Sequence, residues 1–165
     1  MVSLELMDKI EMFQGLDDDQ LTAIQNSCSE AEFNRGDKLF SQGDLATHLW
    51  IVLEGQVDLR LELPGSKPTS KDHTVYSVPA KPSGAIIFGW SCFVAPYKMR
   101  LSAYCISRHS KVIKISKKDL IALFKNDPRA GYLIMSYMVS VVGKRFHLLQ
   151  EMVAKNMGEK MMSGW

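Results

Sequence analysis

The sequence predicts a mainly β domain flanked by helices, of the sandwich, barrel or roll kind. Three observations carry that prediction. Short apolar stretches separated by glycine turns run from residue 31 to about residue 115. Apolar residues at helical spacing precede and follow that block. The length of 165 residues fits one domain able to bury a core of its own.

Taken in order, Leu4, Leu6, Met7, Ile10 and Phe13 recur at roughly helical spacing behind Ser3, a residue type that caps helix N-termini. After Gly15, Asp17, Asp18 and Asp19 stand ahead of Leu21, Ile24 and Cys28, where a helix N-terminus favours negative charge. These carboxylates read as a cap and not as a calcium loop, whose ligands alternate and end in a distal Glu. N-terminal helices are therefore expected within residues 3–28. A strand period follows, punctuated by Asn34-Arg35-Gly36-Asp37, Gln42-Gly43-Asp44 and Glu54-Gly55-Gln56. Residues His48 to Leu63 read as a hairpin, with Leu49–Leu53 and Val57–Leu61 flanking the turn at Gly55. Pro64 to Asp72, rich in Pro, Gly, Ser, Thr and Lys, reads as an exposed, mobile loop.

Further strands are expected at Thr74–Val78, Ile86–Phe88, Leu101–Ser107 and Lys111–Ile115, which completes a β block over residues 30–116. Leu120, Ile121, Leu123 and Phe124 restore the helical period from Lys117. Asp127 caps a second helix with Pro128 in its first turn. That helix is expected to reach about Asn156, so C-terminal helices occupy residues 117–157. Residues 158–165 read as a flexible tail. The division is thus one domain, 1–157, and the tail.

The charge is unevenly spread. Residues 1–62 hold 13 of the 18 acidic side chains and only 4 of the 20 basic ones, so the two halves attract on folding. The basic stretch from Lys98 to Lys125 reads chiefly as solvated strand and helix faces and, second, as a surface for an anion. Cys28, Cys92 and Cys105 are odd in number and lack a CxxC pair, as expected of reduced thiols in a cytoplasmic protein. Glu5, Asp8 and Glu11 interrupt the apolar residues that a signal peptide would need, and no apolar run reaches the roughly 20 residues of a membrane span. Phosphate-loop, nucleophile-elbow and HExxH motifs are absent, and His48, His73, His109 and His147 stand apart from one another. No enzyme activity and no metal site are expected.

The glycine framework is the most informative pattern. Arg35-Gly36-Asp37-Lys38-Leu39-Phe40-Ser41-Gln42-Gly43-Asp44, followed by Leu49 to Val57 with its Glu54-Gly55-Gln56 turn, resembles the cyclic-nucleotide-binding domain family. The resemblance covers roughly residues 12–150, passing through Gly84 to Ser107. It implies a double-stranded β-helix, a jelly-roll-like β-roll, with N-terminal helices and a long C-terminal helix. It also implies a phosphate cassette: a short helix opening with Gly-Glu, then a strand starting with Arg beside Ser/Thr-Ala. The helix amides and the Arg hold the cyclic phosphate while the Glu accepts the ribose hydroxyl.

Here the cassette reads Gly89-Trp90-Ser91-Cys92-Phe93-Val94, then Arg100-Leu101-Ser102-Ala103-Tyr104. It resembles a Gly-Trp-Ser variant of the family, with Trp90 at the Glu position and Leu101 at the Arg position. Alternation along a strand turns Arg100 away from the pocket unless the loop Ala95–Met99 bulges. Each lost charge-assisted contact costs about 1.5–3 kcal/mol, or ten- to hundredfold in affinity. Trp90 is expected to fill the vacated pocket rather than to stack on a ligand base.

The resemblance implies a stand-alone regulatory sensor in signal transduction that binds a cyclic nucleotide, cAMP or cGMP, or a related phosphorylated small molecule, and signals through its C-terminal helix. The anion is expected at the amides of Gly89, Trp90 and Ser91, completed by Ser102, Ala103 and, with a bulge, Arg100. The alternative is a roll without nucleotide binding that serves as a dimerisation or partner-docking module. After Asn156 too few residues remain for a helix-turn-helix, so no DNA binding is expected, and no membrane partner either. Val139, Val142, Phe146, Leu149 and Val153 keep 3,4 spacing beside a second stripe of Met138, Val141, Leu148 and Met152. One stripe is expected to cover the roll and the other to meet a second subunit in a homodimer.

Overall fold

The computed structural model describes residues 2–65, 74–80 and 86–162, with side chains described through residue 158. Most of the loop expected at Pro64–Asp72, together with Gly84, lies outside the described residues. Two short helices open the chain, α1 (Leu4–Asp8) and α2 (Asp18–Asn26), joined by a 3-10 turn at Glu11–Phe13. Ser3 caps α1 by accepting from the Leu6 amide at 3.2 Å. Asp17 and Gln20 form a reciprocal capping box at α2, each side chain 2.9 Å from the other's amide. The aspartates therefore cap the helix, as the sequence predicts.

Eight strands follow: β1 (Cys28–Asn34), β2 (Lys38–Phe40), β3 (His48–Glu54), β4 (Gln56–Arg60), β5 (Thr74–Pro79), β6 (Ile87–Phe88), β7 (Ser102–Cys105) and β8 (His109–Ser116). They form two antiparallel sheets, ordered β1-β8-β3-β6 and β2-β7-β4-β5. This is the mainly β roll with flanking helices that the sequence predicts. The expected hairpin at His48 to Leu63 does not form, because β3 pairs with β6 and β8 while β4 pairs with β5 and β7. Gly55 turns the chain from one sheet into the other instead. Its φ is 81°, and a Cβ there would stand 2.4 Å from both the His109 carbonyl and Ser110 Oγ. Only glycine supplies both the left-handed backbone and the clearance.

Paired residues of an antiparallel ladder share a face. Leu49, Ile51, Ile87, Ile113 and Ile115 thus lie on one side of the first sheet, and Trp50, Val52, Phe88 and Val112 on the other. The second side looks toward the other sheet, since Phe40 of β2 packs against both Trp50 and Phe88. The acidic first half and the basic second half meet where β1 pairs β8: Glu30 accepts from Lys111 at 2.6 Å, and Glu32 lies 3.9 Å from His109.

Helix α3 (Lys117–Asn126) and helix α4 (Pro128–Met162) complete the fold. Asp127 caps α4 by accepting from the Ala130 amide at 3.0 Å and also receives Gln20 Nε2, which ties α2 to the α3–α4 joint. These hydrogen bonds hold its carboxyl below the usual aspartate range. A Cβ at Gly131 would lie 3.0 Å from Phe124, so glycine lets α3 and α4 approach closely. α4 runs past Asn156 through Met162, so the expected tail starts inside the helix, and residues 163–165 lie outside the described residues. Gly143 does not interrupt it, because the helix needs no side chain there to keep its hydrogen bonds. Among the described residues no helix is long and apolar enough to cross a membrane.

Candidate functional site

Strand β6 delivers the cassette. Gly89 follows it at φ 79°, and a Cβ on Gly89 would meet Trp50 Cδ1 at 2.6 Å and the His48 carbonyl at 3.2 Å. Glycine is therefore the residue that lets this corner lie against β3. Trp90–Phe93 then form a single 3-10 turn in which Ser91 and Cys92 are buried. Burial pushes the Cys92 thiol up to about 12, which makes it a packing group at neutral pH.

The return loop is tied down. Its main chain exchanges hydrogen bonds with residues 43–46: Ala46 N to Tyr97 O, Met99 N to Asp44 O and Gly43 N to Met99 O, each 2.8 Å. Arg100 leaves this tether exposed to solvent, and Leu101 turns inward to pack against the core. Ser102 and Ala103 are both fully buried in β7. Ser102 Oγ accepts from the Gln42 amide at 2.7 Å, so its lone pairs already serve the glycine corner at residues 41–44. β7 begins only at Ser102, so Arg100 and Leu101 lie in the bend before the strand.

The interior between the two sheets is occupied by rings. Trp50 and Phe88 are stacked at 5.8 Å, and Phe40 lies 5.4 Å from Trp50 and 5.9 Å from Phe88, with Phe33 6.5 Å from Trp50. Gly89 touches Trp50, and Ala103 is paired with Phe40, so the two halves of the cassette meet through an aromatic pair. Trp90 does not fill the roll. It lines a groove of about 410 Å³ with Phe93 and Val94 on one side and Met135, Val142 and Phe146 of α4 on the other. Trp50 and Phe88, which arrive from paired strands, already occupy the interior.

Two groups escape detection in the sequence. Arg145 of α4 is largely buried and donates from Nη2 to the Ile87 carbonyl, with its guanidinium 4.5 Å over the Tyr76 ring. Burial lowers its pKa, opposed by the phenols of Tyr76 and Tyr137. It fastens α4 to the strand that leads into the cassette. Its place at the end of the stripe Ile134, Met138 and Val141 was the available signal.

The second group is a polar network on the second sheet. Arg60 pairs with Asp58 at 3.1 Å, Thr74 and Ser77 donate to Asp58, and Glu62 accepts from Lys38 at 3.0 Å and from Tyr104. Arg60 also lies 5.0 Å over the Tyr104 ring. Those donors hold Glu62 below the usual carboxylate range, while burial and Glu62 raise Tyr104. Each carboxylate has donors, which is the pattern of a structural network. Among the described residues no three His, Cys, Asp or Glu side chains are placed to hold a metal.

No protein-family model matches the chain, and no curated protein matches it significantly. Solved structures do. A crystal structure assigned as a cyclic nucleotide-binding protein of Geobacter metallireducens superposes with a TM-score of 0.72 at 28% identity, covering 89% of this chain and all of that one. A cyclic nucleotide-binding domain from Methylobacillus flagellatus gives 0.73 at 19% identity, covering 93% and 81%. The regulatory subunit of a cAMP-independent protein kinase A from Trypanosoma brucei gives 0.67 at 17% identity, covering 90% of this chain and 47% of that one. This chain therefore has the fold of cyclic-nucleotide-binding domains.

Proposed function

Starting from that fold, we propose that the chain is a non-catalytic regulatory module that homodimerises through α4 and transmits its state along that helix. The exposed seam of α4 carries the reading. Tyr132, Val139, Phe146 and Val153 are 72%, 68%, 57% and 49% exposed at strict heptad spacing. Met135, Val142 and Leu149 stand at the intervening positions. The roll-facing stripe Ile134, Met138 and Val141 is already buried, so the seam is a second apolar face that stays exposed among the described residues. Past Phe146 the helix exposes Leu148, Leu149, Met152, Val153 and Met157, more apolar surface than a lone solvated helix carries. A dimeric mass is expected at micromolar concentration by light scattering, and Leu149→Lys is expected to shift it to the monomer. A monomeric wild type, or a dimer indifferent to Leu149→Lys, would refute the seam.

The nucleotide reading is favoured by the similarity to cyclic nucleotide-binding proteins and by the retained glycine corner and turn at Gly89–Phe93. Against it stand the exposed Arg100, the inward Leu101, the engaged Ser102 and the aromatic interior. We take the module to work without cAMP or cGMP held in the family's manner. Titration calorimetry is expected to show no saturable heat with either nucleotide at millimolar concentration. Salt-sensitive binding that Arg100→Ala weakens and Ser91→Asp abolishes would restore the nucleotide sensor.

A further inference from the structure

The apolar stripe of α4 that covers the roll outruns it. Ile134, Met138 and Val141 are buried, and Arg145, next at the same spacing, packs over the Tyr76 ring of β5. Leu148 and Met152 continue the stripe, yet they are 45% and 49% exposed. With Glu151 and Lys155 they form one wall of a cleft of about 510 Å³, whose other wall is Thr74, Val75, Tyr76 and Ser77. Successive side chains of a strand point to opposite faces, so a cleft lined by consecutive residues meets the strand at its edge.

That edge is bare. β5 ends its sheet, so its backbone groups on the side away from β4 face no strand among the described residues. Exposed edges are ordinarily blunted by charge or by shortness. The other edges follow that rule: β1 carries Glu30 and Glu32, β2 begins with Lys38, and β6 has 2 residues. β5 is 6 residues long and uncharged, Thr-Val-Tyr-Ser-Val-Pro, and only a bulge at Val75 interrupts its register.

We propose that this cleft binds an extended peptide segment of another protein, which adds to β5 as a further strand and lays apolar side chains on Leu148 and Met152. The proposal is independent of the α4 dimer, whose seam runs through Leu149 and Val153. A strand is the partner that satisfies a row of edge amides and carbonyls. Because α4 walls the cleft opposite β5, there is place for one strand and not for the sheet of a second folded copy. Charge narrows the peptide further. Glu151 is exposed and makes no ion pair among the described residues, so it favours a Lys or Arg on the segment.

The probe is a phage-displayed library of random octapeptides selected on the immobilised full chain, followed by fluorescence polarisation with the enriched sequences. These are expected to alternate apolar residues and to carry a Lys or Arg. Met152→Lys is expected to weaken their binding at least about tenfold, and Glu151→Lys by up to about fivefold, the scale of an exposed ion pair. Val75 has no partner on β4, so Val75→Pro removes an edge amide while sparing that ladder, and a loss of at least about tenfold is expected there too. All three variants are expected to keep the wild-type mass. A library without enriched peptides, or peptides that bind the Met152 and Val75 variants as tightly as the wild type, would overturn the proposal. Loss with Met152→Lys alone would mean an apolar groove without strand addition and overturn it as well. A mass that falls with either variant would assign the cleft to a second copy. If Val75→Pro unfolds, hydrogen exchange of the wild-type β5 amides decides, and rates that a bound peptide leaves unchanged would rule out strand addition.

Discussion

Asp58→Ala is expected to lower the free energy of unfolding by about 3–5 kcal/mol, the range for removing one partner of a buried ion pair. The side chains of Arg60 and Asp58 are only 8% and 7% exposed. Among the described residues Arg60 Nε has no hydrogen-bond partner, so deleting the carboxylate strands a buried guanidinium and leaves Thr74 and Ser77 without this acceptor. The neighbouring Lys38–Glu62 pair is 35% and 30% exposed. At that exposure the ion pair itself is worth about 0–1 kcal/mol, and Lys38→Met is expected to show a loss of that order. Replacing both buried partners, Asp58→Leu with Arg60→Met, is expected to recover most of the loss, since the uncompensated charge is what costs. Urea unfolding of the four proteins checks the ranking. Equal losses for Asp58→Ala and Lys38→Met would mean that the second sheet is wet where the structure has it covered.

Trp50→Ala is expected to cost about 3–5 kcal/mol, as for large aromatic truncations in a close-packed core. Trp50 touches Phe33, Phe40 and Phe88 and is the ring on which the glycine corner at Gly89 rests. Trp50→Phe is expected to cost far less. It keeps a ring in place and deletes the indole Nε1, a buried donor with no acceptor among the described residues, whose desolvation costs roughly 1–3 kcal/mol. Thermal unfolding of the two variants separates the contributions of ring volume and unpaired donor. A Phe variant as unstable as the Ala variant would show that the indole nitrogen is satisfied in solution and that the interior holds a polar group.

The legible parts of this protein were those written within a few residues. The capping box at Asp17 and Gln20, the Asp127 cap before Pro128 and the glycine corners at residues 36, 43, 55 and 89 each depend on local backbone geometry. The partner of a strand is a different matter. Nothing within His48 to Leu63 distinguishes a hairpin from a crossing between sheets, because the same glycine turn serves both, and only the pairing of β3 with β8 and of β4 with β7 decides it.

The amino-acid order by itself determined the mainly β class and its flanking helices, since periodicity and turn chemistry act over short range and survive any arrangement of the rest; the β-roll and the altered cassette were what the resemblance of the glycine framework implied. Tertiary structure alone decided which groups share a space. It put Trp50 and Phe88, not Trp90, between the sheets, brought Arg145 onto the Ile87 carbonyl from 58 residues away, and assembled Asp58 and Arg60 of β4, Glu62 just beyond it and Tyr104 of β7. The physical reason is that burial is competitive. The interior has one volume, and which side chain fills it depends on what every other element delivers there, a quantity that no single segment of the chain contains.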